Sequence, residues 1–126
     1  MSEAPSVEQL GRLLVTGLFG TGTDYDKFAW GPFRDGVDMA RLYGSAEGGP
    51  SAALLRYAPG AKVPVHLHRG VEHILVLAGA QRDDHGSYEA GSLLIHGPGS
   101  THSVASEQGC IALAIWFAPV EILDER

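Results

Sequence analysis

Cysteine and basic residues are scarce in this chain of 126 residues. Its one cysteine, Cys110, excludes an internal disulfide. Nine Lys and Arg are dispersed among 15 Asp and Glu, so the clustered positive charge that nucleic-acid binding needs is missing. No apolar run approaches the roughly 20 residues of a membrane span, and the N-terminus lacks a signal peptide's basic start. We therefore expect a cytoplasmic protein without a nucleic-acid or membrane partner.

Glycine, in contrast, is abundant, with 17 residues scattered between short apolar runs. Glycines distributed in this way favour tight turns that join many short strands. The length fits one domain, and the pattern predicts an all-β sandwich or barrel. The strands are predicted at 28–30, 37–43, 52–58, 63–68, 72–77, 80–83, 87–89, 92–96, 101–105 and 111–117.

The beginning of the chain predicts a different element. Ser6 and Gln9 have the spacing of a helix N-cap and its partner, and apolar residues then recur at helical intervals. We predict one amphipathic helix over about 6–18, inside an N-terminal segment 1–24 that precedes a barrel over 25–126. The helix is expected to pack on the outside of the sheet, with a dimer contact as the alternative.

The stretch 60–79, GAKVPVHLHRGVEHILVLAG, places ionisable side chains in an otherwise apolar segment. His66 and His68 project from the same face of a strand, about 7 Å apart. Glu72 faces them if the intervening connection folds back, and His102 on a later strand is a fourth candidate. Three neutral imidazoles and a carboxylate suit a divalent transition metal. The alternative is a sheet whose buried histidines are hydrogen-bonded without metal.

The spacing of these residues resembles the first signature of the cupin superfamily, carried here by Gly60, His66, His68, Glu72 and Gly79. Residues 91–102, GSLLIHGPGSTH, resemble the second signature. Two positions depart from it: Pro98 stands one place later than usual, and Ser106 replaces an asparagine. Neither departure falls on a ligand position.

A narrower resemblance is to the cupin domain of ChrR-type anti-sigma factors, over roughly residues 25–118. The segments ILVLAG, DDHGSYEAG, PGSTH and EQGC carry it in that order. It implies a single-domain jelly-roll barrel, the double-stranded β-helix, that binds zinc. The ligands implied are His66, His68, Glu72 and His102. His73 stands where that family often has a second glutamate, and we expect it to face away from Glu72.

ChrR-type regulators also carry an N-terminal helical zinc domain that binds a sigma factor. The residues before the predicted barrel contain no His/Cys cluster. We therefore expect a stand-alone cupin without sigma-factor binding.

The predicted metal site is compatible with functions of two classes. The cofactor is one divalent transition metal, Zn or Fe(II), with Mn, Ni, Co and Cu left open. The first function is a metal-dependent oxygenase, or an isomerase, acting on a small organic molecule. The alternative is a ChrR-like zinc-binding module that senses a ligand or oxidant without catalysis, and a purely structural metal is a third reading. A free sheet edge also favours a homodimer.

Several other residues have ordinary structural interpretations. His96 is expected at the rim or on the surface, with contact to a metal ligand or a role as a base in the pocket as the alternatives, and His85 is expected in a hairpin turn. Cys110 is expected to be a small buried hydrophobe. Arg41, Tyr43, Arg56 and Tyr57 fall on strands flanking the site. Of neighbouring residues such as Arg56 and Tyr57 only one can point inward, where it would anchor an anionic or carbonyl group. The expected core or interface aromatics are Trp30, Phe33, Trp116 and Phe117.

Overall fold

The computed structural model describes residues 4–19 and 24–123. A single 3-10 helix, Tyr25–Lys27, is the only helix in these ranges, and β-strands make up most of the rest. The division of the chain into an N-terminal segment and a barrel at 24/25 stays a prediction. Residues 1–3, 20–23 and 124–126 lie outside the described ranges. The strands are β1 (Gly31–Arg34), β2 (Val37–Ser45), β3 (Gly48–Tyr57), β4 (Ala61–Leu67), β5 (Glu72–Arg82), β6 (Ser87–Glu89), β7 (Leu93–His96), β8 (Thr101–Ser106), β9 (Cys110–Trp116) and β10 (Glu121–Ile122).

The strands form one curled sheet of ten strands, in the order β1-β2-β3-β9-β5-β8-β4-β10. Strands β6 and β7 both pair with β5 outside that path. The first half of β5 pairs with β7 and β9, whereas its last residues pair with β6 and β8. A register shift between Val76 and Ala78 marks the change, and such an irregularity bends a strand. The predicted all-β fold is confirmed.

Two apolar clusters lie on opposite faces of this sheet. Alternate residues of β3 and β9 point into the curl, where the larger cluster forms the interior. The intervening residues, among them Leu54 and Ile111, form the smaller cluster outside. The buried members of the interior cluster are Val37, Ala53, Leu55, Tyr57, Ala61, Val63, Ile74, Val104, Cys110, Ala112, Ala114 and Trp116.

The chain before β1 covers part of the outer cluster. Leu18, Tyr25, Phe28 and Trp30 pack against it. The Tyr25 hydroxyl donates to the Leu18 carbonyl at 2.7 Å, and Trp30 Nε1 donates to the Tyr25 carbonyl at 2.7 Å. The guanidinium of Arg56 lies 4.4 Å from the centroid of the Trp30 ring. These contacts fix the segment on the outside of the sheet.

The helix predicted over 6–18 is not formed, and this prediction was wrong. The predicted capping contacts do form: Ser6 N donates to Gln9 Oε1 at 3.0 Å, and Gln9 N donates to Ser6 Oγ at 3.2 Å. They enclose a single turn, because Gly11 then adopts a φ of +55°, which ends a right-handed helix. Leu13 and Leu14 are 51% and 67% exposed, so a helical apolar face would have no partner here.

Three of the predicted strands also differ from the structure. Residues 28–30 form no strand, because Phe28 and Trp30 pack onto the outer face, and β1 begins after them. The strands predicted at 72–77 and 80–83 are one continuous strand, β5. Gly79, which falls between the two predicted strands, lies inside β5 with a φ of +71° and pairs with Cys110.

Candidate metal centre

A β-bulge in β4 turns both histidines of the HLH motif toward the interior. In the pairing of β4 with β8, Val63 lies opposite Val104 and His66 opposite His102, so β4 has one extra residue between these pairs. Pro64 lies in the bulge, where its missing N–H costs no ladder hydrogen bond. The extra residue shifts the alternation of faces, and Val63, His66 and His68 are therefore all buried.

Strand register brings the remaining side chains to the same place. Glu72 lies opposite His96 of β7 on one side and opposite Trp116 of β9 on the other. His66 lies opposite His102 of β8. Because directly opposite residues share a face of the sheet, these pairs meet in the interior.

One carboxylate oxygen lies at the centre of the cluster. Glu72 Oε1 is 3.0 Å from His68 Nε2, 3.1 Å from His96 Nδ1 and 3.9 Å from His102 Nε2. These four residues each offer a ligand atom within 4.8 Å of the others. His66 lies beside them, its ring centroid 4.5 Å from that of His102 and 5.1 Å from that of His68. The four residues predicted from the sequence are thus neighbours, and His96 joins them.

Hydrogen bonds fix the proton of two imidazole rings on Nδ1. His66 Nδ1 lies 2.9 Å from the Pro64 carbonyl, which can only accept. Ser100 Oγ donates to the Gly97 carbonyl at 2.6 Å, and it therefore accepts from His68 Nδ1 at 2.9 Å. With the proton on Nδ1, a neutral ring has its lone pair on Nε2, and this is the nitrogen that can bind a metal.

The second oxygen of Glu72 is held by an indole. Trp116 Nε1 donates to Glu72 Oε2 at 2.7 Å. Burial by itself raises the pKa of Glu72, but the neighbouring His68 and His96 and the bond from Trp116 outweigh it, so the pKa lies well below its usual range. Glu72 is therefore an ionised carboxylate in a site where its side chain is 4% exposed.

The donor atoms fit a metal ion. His68 Nε2 finds no hydrogen-bond partner among the described residues, although Glu72 Oε1 lies 3.0 Å away. A lone pair and a carboxylate oxygen at this distance repel unless a proton or a cation lies between them. Buried imidazole nitrogens around one carboxylate suit a divalent transition metal. The assignment of individual ligands stays a prediction.

Burial keeps two of the rings neutral. It lowers the pKa of His102 to about 4, with neighbouring imidazoles adding to the effect, and it also lowers the pKa of His66. The pKa of His96 is raised by its hydrogen bond to Glu72. His66 and His102 thus present unprotonated nitrogen at neutral pH, whereas His96 acts as a donor to Glu72.

Comparison with known proteins agrees with this geometry. Residues 20–117 match the family described as the ChrR cupin-like domain. The chain belongs to the ChrR cupin-like domain family. It is 35% identical over 120 residues to the anti-sigma-E factor ChrR of Cereibacter sphaeroides, a match covering 93% of this chain and 50% of ChrR. The chain therefore spans about half the length of that relative.

Solved structures confirm the cupin fold of this ChrR cupin-like domain. The complex of Rhodobacter sphaeroides SigE with the anti-sigma factor ChrR matches with a TM-score of 0.67 and 35% identity, covering 75% of this chain and 52% of that one. An acetylacetone dioxygenase from Acinetobacter johnsonii matches with a TM-score of 0.69 and 17% identity, covering 90% and 86% of the two chains. At that identity the second match shows the fold alone.

Inside this ChrR cupin-like domain, a small cavity of about 40 Å³ adjoins the cluster. His66, Glu72 and His102 form one wall, and the other walls are largely apolar. Tyr57 is the inward member of its pair: it is 7% exposed and lines the cavity. Arg56 points outward, forming an ion pair with Asp26 at 3.0 Å. The cavity has room for about three water-sized groups.

Two contacts of the cluster differ from the first expectation from the sequence. His96 was expected at the rim, with contact to a metal ligand as an alternative; its ring stacks on His68 with centroids 4.8 Å apart and it reaches Glu72, as in that alternative. Trp116 was read as an ordinary aromatic, yet it bonds to Glu72. The sequence does carry a signal for both residues, since each is the last residue of an apolar strand and has a side-chain N–H. The strand pairing that selects them was not visible.

Other predicted placements are seen directly. The ring of His73 lies 6.0 Å from that of Phe117, on the face opposite Glu72. His85 is exposed in a turn, where its N–H donates to Asp83 Oδ1 at 2.8 Å. Cys110 is buried, and burial raises the pKa of its thiol. No helix in the described ranges is long and apolar enough to cross a bilayer.

Proposed function

We propose that this ChrR cupin-like domain binds one divalent transition metal, Zn or Fe(II), through His66, His68, Glu72 and His102. The observation that carries the proposal is the position of Glu72 Oε1, 3.0 Å from His68 Nε2, which has no hydrogen-bond partner among the described residues. A cation between these atoms removes their repulsion and offsets the cost of burying the carboxylate.

We further propose that the domain is a metal-dependent oxygenase acting on a small organic molecule. Such a metal supplies Lewis acidity and, as Fe(II), activation of dioxygen. The chain's own residues provide the rest of the site. The largely apolar cavity beside His66 and His102 would hold the bound molecule, and Tyr57 on its wall would supply a hydroxyl that can donate to an oxygen of that molecule. Trp116 and His96 hold the two oxygens of Glu72 in place.

Oxygen consumption by metal-loaded protein tests this activity. Iron-loaded and zinc-loaded protein are compared across a panel of diketones, thiols and phenols. We expect the iron form to consume oxygen with at least one class and the zinc form to be inactive. His73→Gln, outside the cluster, serves as the matched control for His68→Gln, which is expected to be inactive. No consumption by either metal form would rule out the oxygenase.

A second function is a zinc-binding module that senses a ligand or oxidant without turnover. The 35% identity to an anti-sigma factor over 93% of the chain favours it. Because the chain spans about half of that relative, the sigma factor is not part of this proposal. Zinc-bound protein would then show altered hydrogen exchange around β4 and β7 on exposure to ligand or oxidant. Unchanged exchange, together with oxygen turnover by the iron form, would exclude this second function.

The homodimer and the cytoplasmic location also stay predictions. The exposed apolar residues of β7, Leu93 and Ile95, are 57% and 59% exposed and offer a surface for a second copy. Sedimentation of wild type beside a Leu93→Lys/Ile95→Lys variant tests the dimer. A wild type that sediments as a monomer would contradict it.

A further inference from the structure

A half-buried arginine lies on the inner side of β2 without a carboxylate partner. Arg41 Nη2 is 3.2 Å from the sulfur of Met39, which packs against the interior cluster. Arg56, Arg69 and Arg82 each pair with an acidic side chain, whereas no carboxylate of residues 4–19 and 24–123 pairs with Arg41. Burial lowers the pKa of its guanidinium. A cation that is partly desolvated and unpaired attracts an anion.

Arg41 opens onto a groove of about 110 Å³. Among the described residues, the lining of the groove has one positive charge and no acidic residue, and most of its remaining wall is apolar. Its polar side chains besides Arg41 are serines, Ser45 and Ser51. An apolar pocket with one charged group fixes the orientation of a ligand that has one charged end.

The groove and the cavity beside the cluster share a wall. Phe33, Trp116 and Val120 line both spaces. Trp116 also donates its indole N–H to Glu72. These side chains therefore lie between the groove beside Arg41 and the cavity beside the candidate metal centre.

We propose that the groove binds a small organic carboxylate, which defines the substrate class of the site. The carboxylate pairs with Arg41, the apolar body lies against Phe33 and Trp116, and the far end points toward the cavity beside Glu72. A planar guanidinium binds a carboxylate through two parallel hydrogen bonds. A phosphate dianion fits less well, because a single guanidinium and an apolar wall leave most of its oxygens without donors. That the far end meets the metal rests on the proposed function; the pairing with Arg41 does not.

Fluorescence of Trp116 reports binding in the groove. The chain has two tryptophans, and a Trp30→Phe background leaves Trp116 as the only one. The 126-residue chain is titrated with propionate, with its neutral isostere propionamide and with inorganic phosphate. We expect saturable change with propionate, and binding at least about tenfold weaker for propionamide, as expected for loss of a charged hydrogen-bond partner.

Variants of Arg41 decide the assignment. Arg41→Gln should weaken propionate binding about tenfold or more, and Arg41→Lys, which keeps the charge, should weaken it less. Arg56→Gln is the matched control, because Arg56 points away from the groove, and it should bind propionate as the background protein does. Far-ultraviolet circular dichroism checks that each variant is folded. Equal affinity of Arg41→Gln and its parent, equal affinity for propionamide, or binding of phosphate in preference to propionate would overturn the proposal.

The same titration on a His66→Ala/His68→Ala variant separates this proposal from the proposed function. We expect that variant to keep Arg41-dependent propionate binding. If wild-type protein takes up no metal but still binds propionate through Arg41, the metal function fails and the groove stands. If metal is bound and substitution of Arg41 does not change propionate binding, the groove proposal is refuted and the metal-site proposal is kept.

Discussion

Trp116 Nε1 donates a hydrogen bond of 2.7 Å to Glu72 Oε2, across the pairing of β9 with β5. This bond leaves Oε1 to face the imidazoles. Trp116→Phe removes the N–H but keeps most of the ring. We expect metal affinity to fall about tenfold, which is within the range seen when a hydrogen-bond partner of a metal ligand is removed. Competition with a metal-binding dye measures this loss, and Trp30→Phe, on the outer face, is the control. Unchanged affinity in Trp116→Phe would show that the indole does not position Glu72.

Ser100 sets the tautomer of His68 through its own bond to the Gly97 carbonyl. Ser100→Ala removes both hydrogen bonds at a buried ring. We expect metal affinity to fall about tenfold and the free energy of unfolding to fall by about 1 kcal/mol. Urea unfolding and dye competition measure the two effects, with the exposed Ser87→Ala as control. Metal affinity equal to that of wild type would contradict the tautomer argument.

Protonation of the cluster makes stability depend on pH. Burial lowers the pKa of His102 from 6.5 to about 4. Between these values the unfolded chain binds a proton that the folded chain does not, so stability is full above about pH 6.5 and falls as the pH decreases toward 4. The pKa of His66 is lowered as well, and the raised pKa of His96 partly offsets the effect of these two residues on stability. For metal-free protein we expect a loss on the order of 2 kcal/mol across this range.

Urea unfolding at a series of pH values measures this dependence. His85→Gln is the control, because His85 is exposed in a turn, and it should leave the slope unchanged. His102→Asn should flatten the slope. A wild-type stability that rises as the pH falls toward 4 would show that the histidines are charged in the folded protein.

Gly79 allows β5 to pass closely beside the turn before β9. Its φ is +71°, and a Cβ there would overlap the carbonyl oxygen of Gly109. We expect Gly79→Ala to destabilise the protein by at least about 3 kcal/mol, combining backbone strain with the overlap. Gly91→Ala has a similar strain, with φ of +96° and open space, so it should cost less. Equal losses in urea unfolding would mean that the overlap relaxes.

Much of this architecture could be predicted from the sequence, because glycine turns and apolar alternation are local signals. The convergence of His66, His68, Glu72 and His102 followed from their spacing. It also needed the bulge at Pro64, which the HLH pattern does not reveal. Without that bulge, strict alternation from Val63 would turn both histidines outward.

The parts that could not be predicted depend on long-range pairing or on what a segment packs against. His96 and Glu72 are 24 residues apart, and Trp116 and Glu72 are 44 apart, and only strand register joins them. The leucines of residues 6–18 do have helical spacing. Leu13 and Leu14 nevertheless remain exposed, and the turn at Gly11 ends the single helical turn before them.

Metal content tests the proposed centre most directly. Elemental analysis is made on wild-type protein purified without added metal or chelator, beside His66→Ala/His68→Ala and the control His73→Gln. We predict close to one transition-metal ion per chain in wild type and in His73→Gln, and almost none in the double variant. The same stoichiometric metal in the double variant as in wild type would contradict the assignment of these histidines as ligands.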